Sequence, residues 1–165
     1  MSALFGVGGG EVSLGTAFGD GGNPERRFCQ YGRQSEKVNG TGAPDVFLLG
    51  GGLDVVFGRD GLEVFRFQTT AIGPAATNAT TLKDFSRAGG EVIDLSAVDA
   101  IGGTFADDAF SFIGAAPFSG AAGQLRWEDD GAVRMIQGTV NADAMAGFTM
   151  YVKTAGQIGG DWFVV

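Results

Sequence analysis

Asp45, Asp54 and Glu63 are acidic residues spaced nine apart. Two positions beyond each stands a large apolar residue, Phe47, Val56 and Phe65. Before each lies a turn-rich run: Gly-Thr-Gly-Ala-Pro, Gly-Gly-Gly-Leu, then Gly-Arg-Asp-Gly-Leu. Three features that share one period define a repeat. The chemistry such a repeat can do is cation binding. Glycines let a turn adopt positive φ and crowd its carbonyl oxygens around a small space. A carboxylate closes that space with a hard, anionic oxygen, a donor set suited to calcium. The candidate ligating positions are Asp45, Asp54 and Glu63, the turn glycines Gly40, Gly42, Gly50, Gly52, Gly58 and Gly61, and Asp60 within the third turn. A fainter fourth copy places Glu36 nine residues before Asp45 and Val38 nine before Phe47.

The elements that must position these residues follow from the same pattern. The apolar residue after each acid points inward from a short strand, because strand side chains alternate. The pattern G-G-x-G-x-D-x-U-x, with U a large apolar residue, is that of the calcium-binding β-roll repeat. In a roll each nonapeptide is one half-turn, so neighbours along the chain face opposite sides. Cation sites then lie between turns separated by eighteen residues: Asp45 with the turn Gly58 to Glu63, and Asp54 with the turn leading to Glu36. Both sites depart from the pattern, since Pro44 precedes Asp45, Arg59 replaces a glycine and Glu63 replaces an aspartate. Affinities at or weaker than Kd values of roughly 10⁻⁴–10⁻³ M are expected. The plain alternative is a glycine-rich sheet edge whose acids face solvent.

The 165 residues fit one domain, or one domain carrying a short solenoid at its edge. Thirty glycines and fourteen phenylalanines predict an all-β chain with many tight turns. A formal charge of −8 argues against a nucleic-acid partner, which needs a clustered basic surface, and is compatible with a cation. Acidity could equally serve solubility alone. The absence of histidine excludes an HExxH zinc helix, a Ser-His-Asp triad and histidine acid–base chemistry, so no enzyme activity is expected. The single cysteine, Cys29, cannot form an internal disulfide and has no histidine to activate it. Apolar runs are too short to span a bilayer. The start MSALFGVGGGEV lacks the basic and apolar stretches of a secretory signal peptide.

Along the chain, residues 1–30 are the least informative, with one possible strand from Glu11 to Phe18 and a polar turn at Pro24. Residues 31–67 carry the degenerate repeats. After the connector QTTAIGPAATNATT a different pattern begins at Leu82. Short strands are expected around Ile93, at Ala109 to Ile113, around Leu125 and Trp127, from Val133 to Val140 and from Phe148 to Val152, with a hairpin turn at Glu128 to Gly131. The expected fold is a short parallel β-roll continuing into a sandwich or roll over residues 68–165. Gly8 to Gly10 lacks the Gly-Lys-Ser/Thr of a phosphate loop. Asp107-Asp108 and Glu128-Asp129-Asp130 read as solvated turns, and Trp127 and Trp162 as core.

Asp84-Phe85, Ile93-Asp94-Leu95-Ser96, Ala109 to Gly114, Phe118-Ser119-Gly120, Ala122 to Arg126, Gln137-Gly138 and Val140-Asn141 stand in an order that resembles the carboxy-terminal domain of the serralysin family of secreted metalloproteases. The resemblance covers about residues 40–165 and places the repeats among those of RTX type. It implies a calcium-binding β-roll with a β-rich cap, type I secretion, an extracellular location and folding assisted by Ca2+ outside the cell. In that family the export signal is an acidic residue followed by a few apolar ones, the form of Asp161-Trp162-Phe163-Val164-Val165. The family's protease domain has no counterpart, so proteolysis is not carried over, and a non-catalytic module or a detached part of a larger secreted enzyme is expected; a monomer is expected. The family's acid-rich loop N-G-D-G-x-A-D-F is reduced to Asn141, Asp143 and Phe148, and no calcium site is expected there.

Overall fold

A computed structural model describes residues 3–5, 11–13, 27–30, 35, 37–50, 52–68, 79–154 and 157–165. The first nine strands alternate between two parallel sheets. One sheet takes β1 (Ala3–Phe5), β3 (Arg27–Gln30), β5 (Asp45–Leu49), β7 (Val64–Gln68) and β9 (Val92–Ala97). The other takes β2 (Glu11–Ser13), β4 (Lys37–Asn39), β6 (Val55–Phe57) and β8 (Thr81–Leu82). This is the parallel β-roll expected from the nonapeptide period, with successive repeats in opposite sheets.

Register carries the period directly. Arg27 pairs with Asp45, Val46 with Val64 and Lys37 with Val55, each eighteen residues apart. The flanking steps are longer: Glu11 to Lys37 and Val55 to Thr81 span twenty-six residues, and Val64 to Val92 spans twenty-eight. The roll thus takes in β1–β3 before the repeats and β8 and β9 after them.

Inward-facing residues stack coil upon coil. Phe47, Phe65 and Ile93 share one register position in the first sheet, and Val38, Val56 and Leu82 share one in the second; all six are fully buried. The Phe47 and Phe65 rings lie parallel with centroids 5.1 Å apart. A large apolar residue at the same place in each coil is therefore the packing unit, and each such side chain contributes about 1.5–3 kcal/mol by burial.

Beyond the coils the architecture changes. β10 (Ser111–Phe112), β11 (Gln124–Asp130), β12 (Val133–Gly138) and β13 (Phe148–Val152) extend the second sheet, with β11–β12–β13 antiparallel and β13 laid parallel to β8. The β11–β12 hairpin is tighter than expected, since Asp130 pairs with Val133 and the turn is Gly131-Ala132, with Gly131 at φ 66°. β14 (Phe163–Val164) closes the first sheet against Ile93 and Asp94. Phe85 bridges the two regions, stacking on Trp162 at 5.1 Å and leaning on Phe65 at 5.9 Å. Among the described residues no helix is long and apolar enough to cross a membrane.

Candidate metal centre

The alternation of strands sorts the turns onto two edges. Residues 40–44, 58–63 and 83–91 each lead into a strand of the first sheet, so they stack on one edge; residues 50, 52–54 and 79–80 lie on the other. Asp45 and Glu63 therefore share an edge, and Asp54 faces away from them, as the eighteen-residue pairing requires. The reading of these acids as solvent-facing is excluded: Asp45, Asp54 and Glu63 are each 0% exposed.

Burial of a carboxylate is costly unless its oxygens find donors or a cation. Asp45 meets half of that need. Its Oδ2 accepts from the Thr41 amide at 2.7 Å and the Thr41 hydroxyl at 3.0 Å, while Oδ1 is buried without a partner. Glu63 is in a harder position, because neither of its buried oxygens receives a hydrogen bond from a donor group. Its polar neighbour is the Glu91 carboxyl, and two carboxyls can bond only through a proton held on one of them. Burial, then Glu91, then the charge of Asp45, push the Glu63 carboxyl from 4.5 up to about 8. Burial also raises Glu91, against the pull of its bond from the Ser86 amide at 2.8 Å. Orphaned buried oxygens of this kind call for an explanation.

The glycines divide sharply. A Cβ on Gly40 would collide with the Gly58 carbonyl and come within 3.0 Å of Asp45 Oδ2. A Cβ on Gly61, at φ 145°, would run into Glu63 Oε1 and lie 2.9 Å from the Ala43 carbonyl carbon. Gly58 has Glu63 Cγ at 3.1 Å and Phe65 Cζ at 3.0 Å from the same position. Turns 40–45 and 58–63 are thus pressed backbone to backbone around the two acids. Gly42 instead borders open space, so nothing packs where its side chain would be. Asp60 is exposed in the turn. Gly50 and Gly52 are buried on the opposite edge, with Gly52 at φ 130°.

Arg59 adopts a left-handed conformation at φ 71°, at a cost of about 1–2 kcal/mol. Asp84 offsets this: its carboxylate accepts from the Gly58 amide at 2.8 Å and the Arg59 amide at 3.0 Å. The Arg59 guanidinium donates to Asn39 Oδ1 at 3.2 Å. The degenerate turn is therefore held by a carboxylate from the next coil.

On the other edge the Leu53 amide donates to Ser35 Oγ at 3.1 Å, which stacks the two turns there as expected. Glu36, the expected partner of Asp54, lies outside the described residues. In the following coil Thr80 takes the place of the acid.

Among the described residues no three carboxylates converge into an acid-only metal site. The donors present fit a hard cation all the same, as two buried carboxylates from neighbouring coils beside closely packed turns. Sequence reasoning missed Glu91 and Asp84. Glu91 carried a usable signal, with Gly89-Gly90 before it and Ile93 two positions after it, as Asp45 and Glu63 have a glycine-bearing turn before and a phenylalanine two positions after. The other acidic clusters are ordinary. Asp107-Asp108 lies beside a shallow pocket with Thr104 donating to Asp108 at 2.7 Å, and Asp129 is paired with Arg134.

Alternating parallel strands coiled around a shared apolar stack, with glycine turns on both edges, define a β-roll. Solved structures with this fold agree along most of the chain. The solution structure of the AlgE6R2 subunit of the Azotobacter vinelandii mannuronan C5-epimerase matches at TM-score 0.61 and 19% identity, covering 95% of this chain and 89% of that one. The AlgE6R3 subunit of the same enzyme matches at TM-score 0.51 and 19% identity, covering 98% of this chain and 76% of that one. No protein-family model matches the chain, and no curated protein matches it.

Proposed function

We propose that this chain is a calcium-binding RTX-type β-roll module of a secreted protein, non-catalytic in itself, in which the ion completes the edge formed by turns 40–45 and 58–63. The observation that carries this reading is the pair Asp45 and Glu63: wholly buried, on adjacent coils, with three oxygens between them that no donor reaches. A divalent cation there relieves both the desolvation and the mutual repulsion of the acids.

Export by a type I route with folding outside the cell agrees with how Asp161–Val165 sits. Trp162 is buried against Phe85, and β14 is paired beside β9, so the folded chain hides Trp162 and Phe163 and leaves Val164 and Val165 exposed. Only before folding are all five residues presented together, and scarce cytosolic calcium would leave the buried acids without an ion to offset their desolvation until then. The serralysin-like order of segments after Leu82 supports the same reading.

A second reading has its own support. The matched solved structures are subunits of an epimerase, so this module could equally serve as one part of a larger secreted enzyme.

Thermal melting in calcium and in chelator tests the module's chemistry. At ten times Kd one site adds about 1.4 kcal/mol, which corresponds to a rise of about 3–6 °C for a domain of this size. Equal melting temperatures in both would remove calcium from the function.

A further inference from the structure

We infer that this chain associates head to tail with a second copy of itself: the apolar tips of loops 101–108 and 140–147 of one molecule dock on the lysine-bearing outer face of the second sheet of the other. The inference goes beyond the calcium-module reading, does not depend on it, and departs from the monomer expected from the sequence.

Strand alternation sets the receiving face. Val38, Val56, Leu82 and Val152 are buried inside the roll, so the residues after them, Asn39, Phe57, Lys83 and Lys153, point out of the sheet. Register puts these four in one row. Asn39 pairs with Phe57, and the ladder runs on through the Lys83 amide, which donates to the Val56 carbonyl at 2.9 Å, and the Lys153 amide, which donates to the Leu82 carbonyl at 2.8 Å. Lys83 and Lys153 are thus neighbours on adjacent strands, and neither forms an ion pair among the described residues. Like charges side by side in a sheet are destabilising unless something answers them. Lys37 lies over the Phe57 ring at 5.9 Å, and the Arg59 guanidinium reaches Asn39 Oδ1 at 3.2 Å, so both border the same row. Asp84, the acid beside them, has both oxygens engaged by the Gly58 and Arg59 amides, and Glu128, farther along the face, is paired with Arg126. Val55, Met135 and Tyr151 stand on this face and are partly exposed, which adds apolar surface among the cations.

The complementary surface lies at the other end of the same sheet. Loop 140–147 precedes β13 and Lys153 follows it, and β8, which ends just before Lys83, runs the same way. Loop 101–108 is tied to loop 140–147 at its base, where the Gly102 amide donates to the Val140 carbonyl at 3.0 Å. Phe105 is 113% exposed and Met145 69%, although both are large apolar side chains. Ala144 takes a left-handed φ of 56° immediately before Met145, and the Met145 amide donates to Asp143 Oδ1 at 3.0 Å. A disfavoured backbone that presents an apolar side chain to water points to a contact surface. Asp107 and Asp143, beside the tips, are exposed.

Charge selects the occupant. Acids flank the apolar tips and cations flank the apolar row, so each surface complements the other. Because they stand at opposite ends of one sheet, a second copy is needed to bring them together. Such a contact is heterologous and leaves one free face and one free set of tips on every assembly that does not close into a ring. Its small extent makes it weak, and its charges make it sensitive to salt.

Sedimentation equilibrium of the full chain tests this. The unaltered chain is expected to form dimers and longer species as its concentration approaches about 1 mM in low salt, with an association constant at least about tenfold lower in high salt. Phe105→Ser with Met145→Ser removes the tips, Lys83→Glu with Lys153→Glu reverses the face, and each double variant alone is expected to be monomeric. Mixed, the two should form a one-to-one dimer and nothing larger, since one keeps an intact face and the other intact tips. If the charge reversal lowers the melting temperature, Lys83→Gln with Lys153→Gln takes its place with the same expectation. A monomer at every concentration and salt, or self-association that survives in either double variant, would overturn the inference. Folded monomeric variants that do not combine on mixing would also overturn it. So would a monomeric chain whose Lys83 and Lys153 bind dextran sulfate, because the face would then belong to a soluble polyanion.

Discussion

The acids of the coiled edge and the acids of the antiparallel end have opposite surroundings. Asp45, Glu63 and Glu91 are at most 3% exposed and lean on one another, with backbone amides or a hydroxyl reaching only some of their oxygens. Around β11 and β12, Glu128 pairs with Arg126, and Asp129 pairs with Arg134 at 2.7 Å. Arg126 is held further by Gln137 Oε1 at 3.0 Å and lies over the Phe118 ring at 4.8 Å. Between the two regions Asp94 is intermediate: burial works to raise its carboxyl, but Ser96 and Arg66 hold it lower. Around β11 and β12 carboxylates are paired with arginines, whereas along the coiled edge buried carboxyl oxygens are left without donors. Position in the fold, rather than acidity, separates a carboxylate with an internal partner from one without.

The largest way to test that contrast is pH. In chelator, Glu63 keeps its proton in the folded chain up to about pH 8, whereas the unfolded chain releases it near 4.5. The folded state therefore binds more protons across that window, and stability should fall as pH rises from about 5 to 8. At roughly 1.4 kcal/mol per pH unit of difference, the loss could reach several kcal/mol. Glu63→Gln should flatten this slope in urea titrations at successive pH values. Calcium should flatten it too, by favouring the charged form. A slope unchanged by Glu63→Gln would mean that the buried edge does not control the pH response.

Next in size are the turn glycines. Gly61→Ala puts a Cβ into Glu63 and the Ala43 carbonyl at a backbone conformation that alanine avoids. It should destabilise the chain by about 1–3 kcal/mol and abolish the calcium-induced rise in melting temperature. Gly42→Ala faces open space and should stay within about 0.5 kcal/mol. Equal effects at the two positions would deny that the turns are pressed around a site.

The smallest expected effect lies at the other end. Asp129→Asn breaks a pair whose aspartate is 63% exposed, and a loss of no more than about 1 kcal/mol is expected, with an unchanged calcium response. A lost calcium response there would blur the comparison between the two regions.

The roll was legible because Phe47, Val56 and Phe65 keep strict period with their acids, and pairing across eighteen residues follows from a half-turn of nine. The strands around Leu125, Trp127 and Phe148 were legible from alternation alone. Glu91 was hidden by distance. Its Gly-Gly before and Ile93 after repeat the signature, but an insertion puts it twenty-eight residues from Glu63 and breaks the count. Leu82 was read as the start of a new pattern, although its side chain continues the inward column of Val38 and Val56. Asp84 could not be read at all, since its value lies in accepting two amides from a turn one coil away. The glycines also looked equivalent in sequence, and only packing separates Gly40 and Gly61 from Gly42.

Anomalous scattering from a crystal grown in millimolar calcium tests the central claim most directly. The account predicts an ion between turns 40–45 and 58–63, touched by the carboxylates of Asp45 and Glu63. Well-ordered turns at that place with no anomalous peak between those two side chains would contradict it.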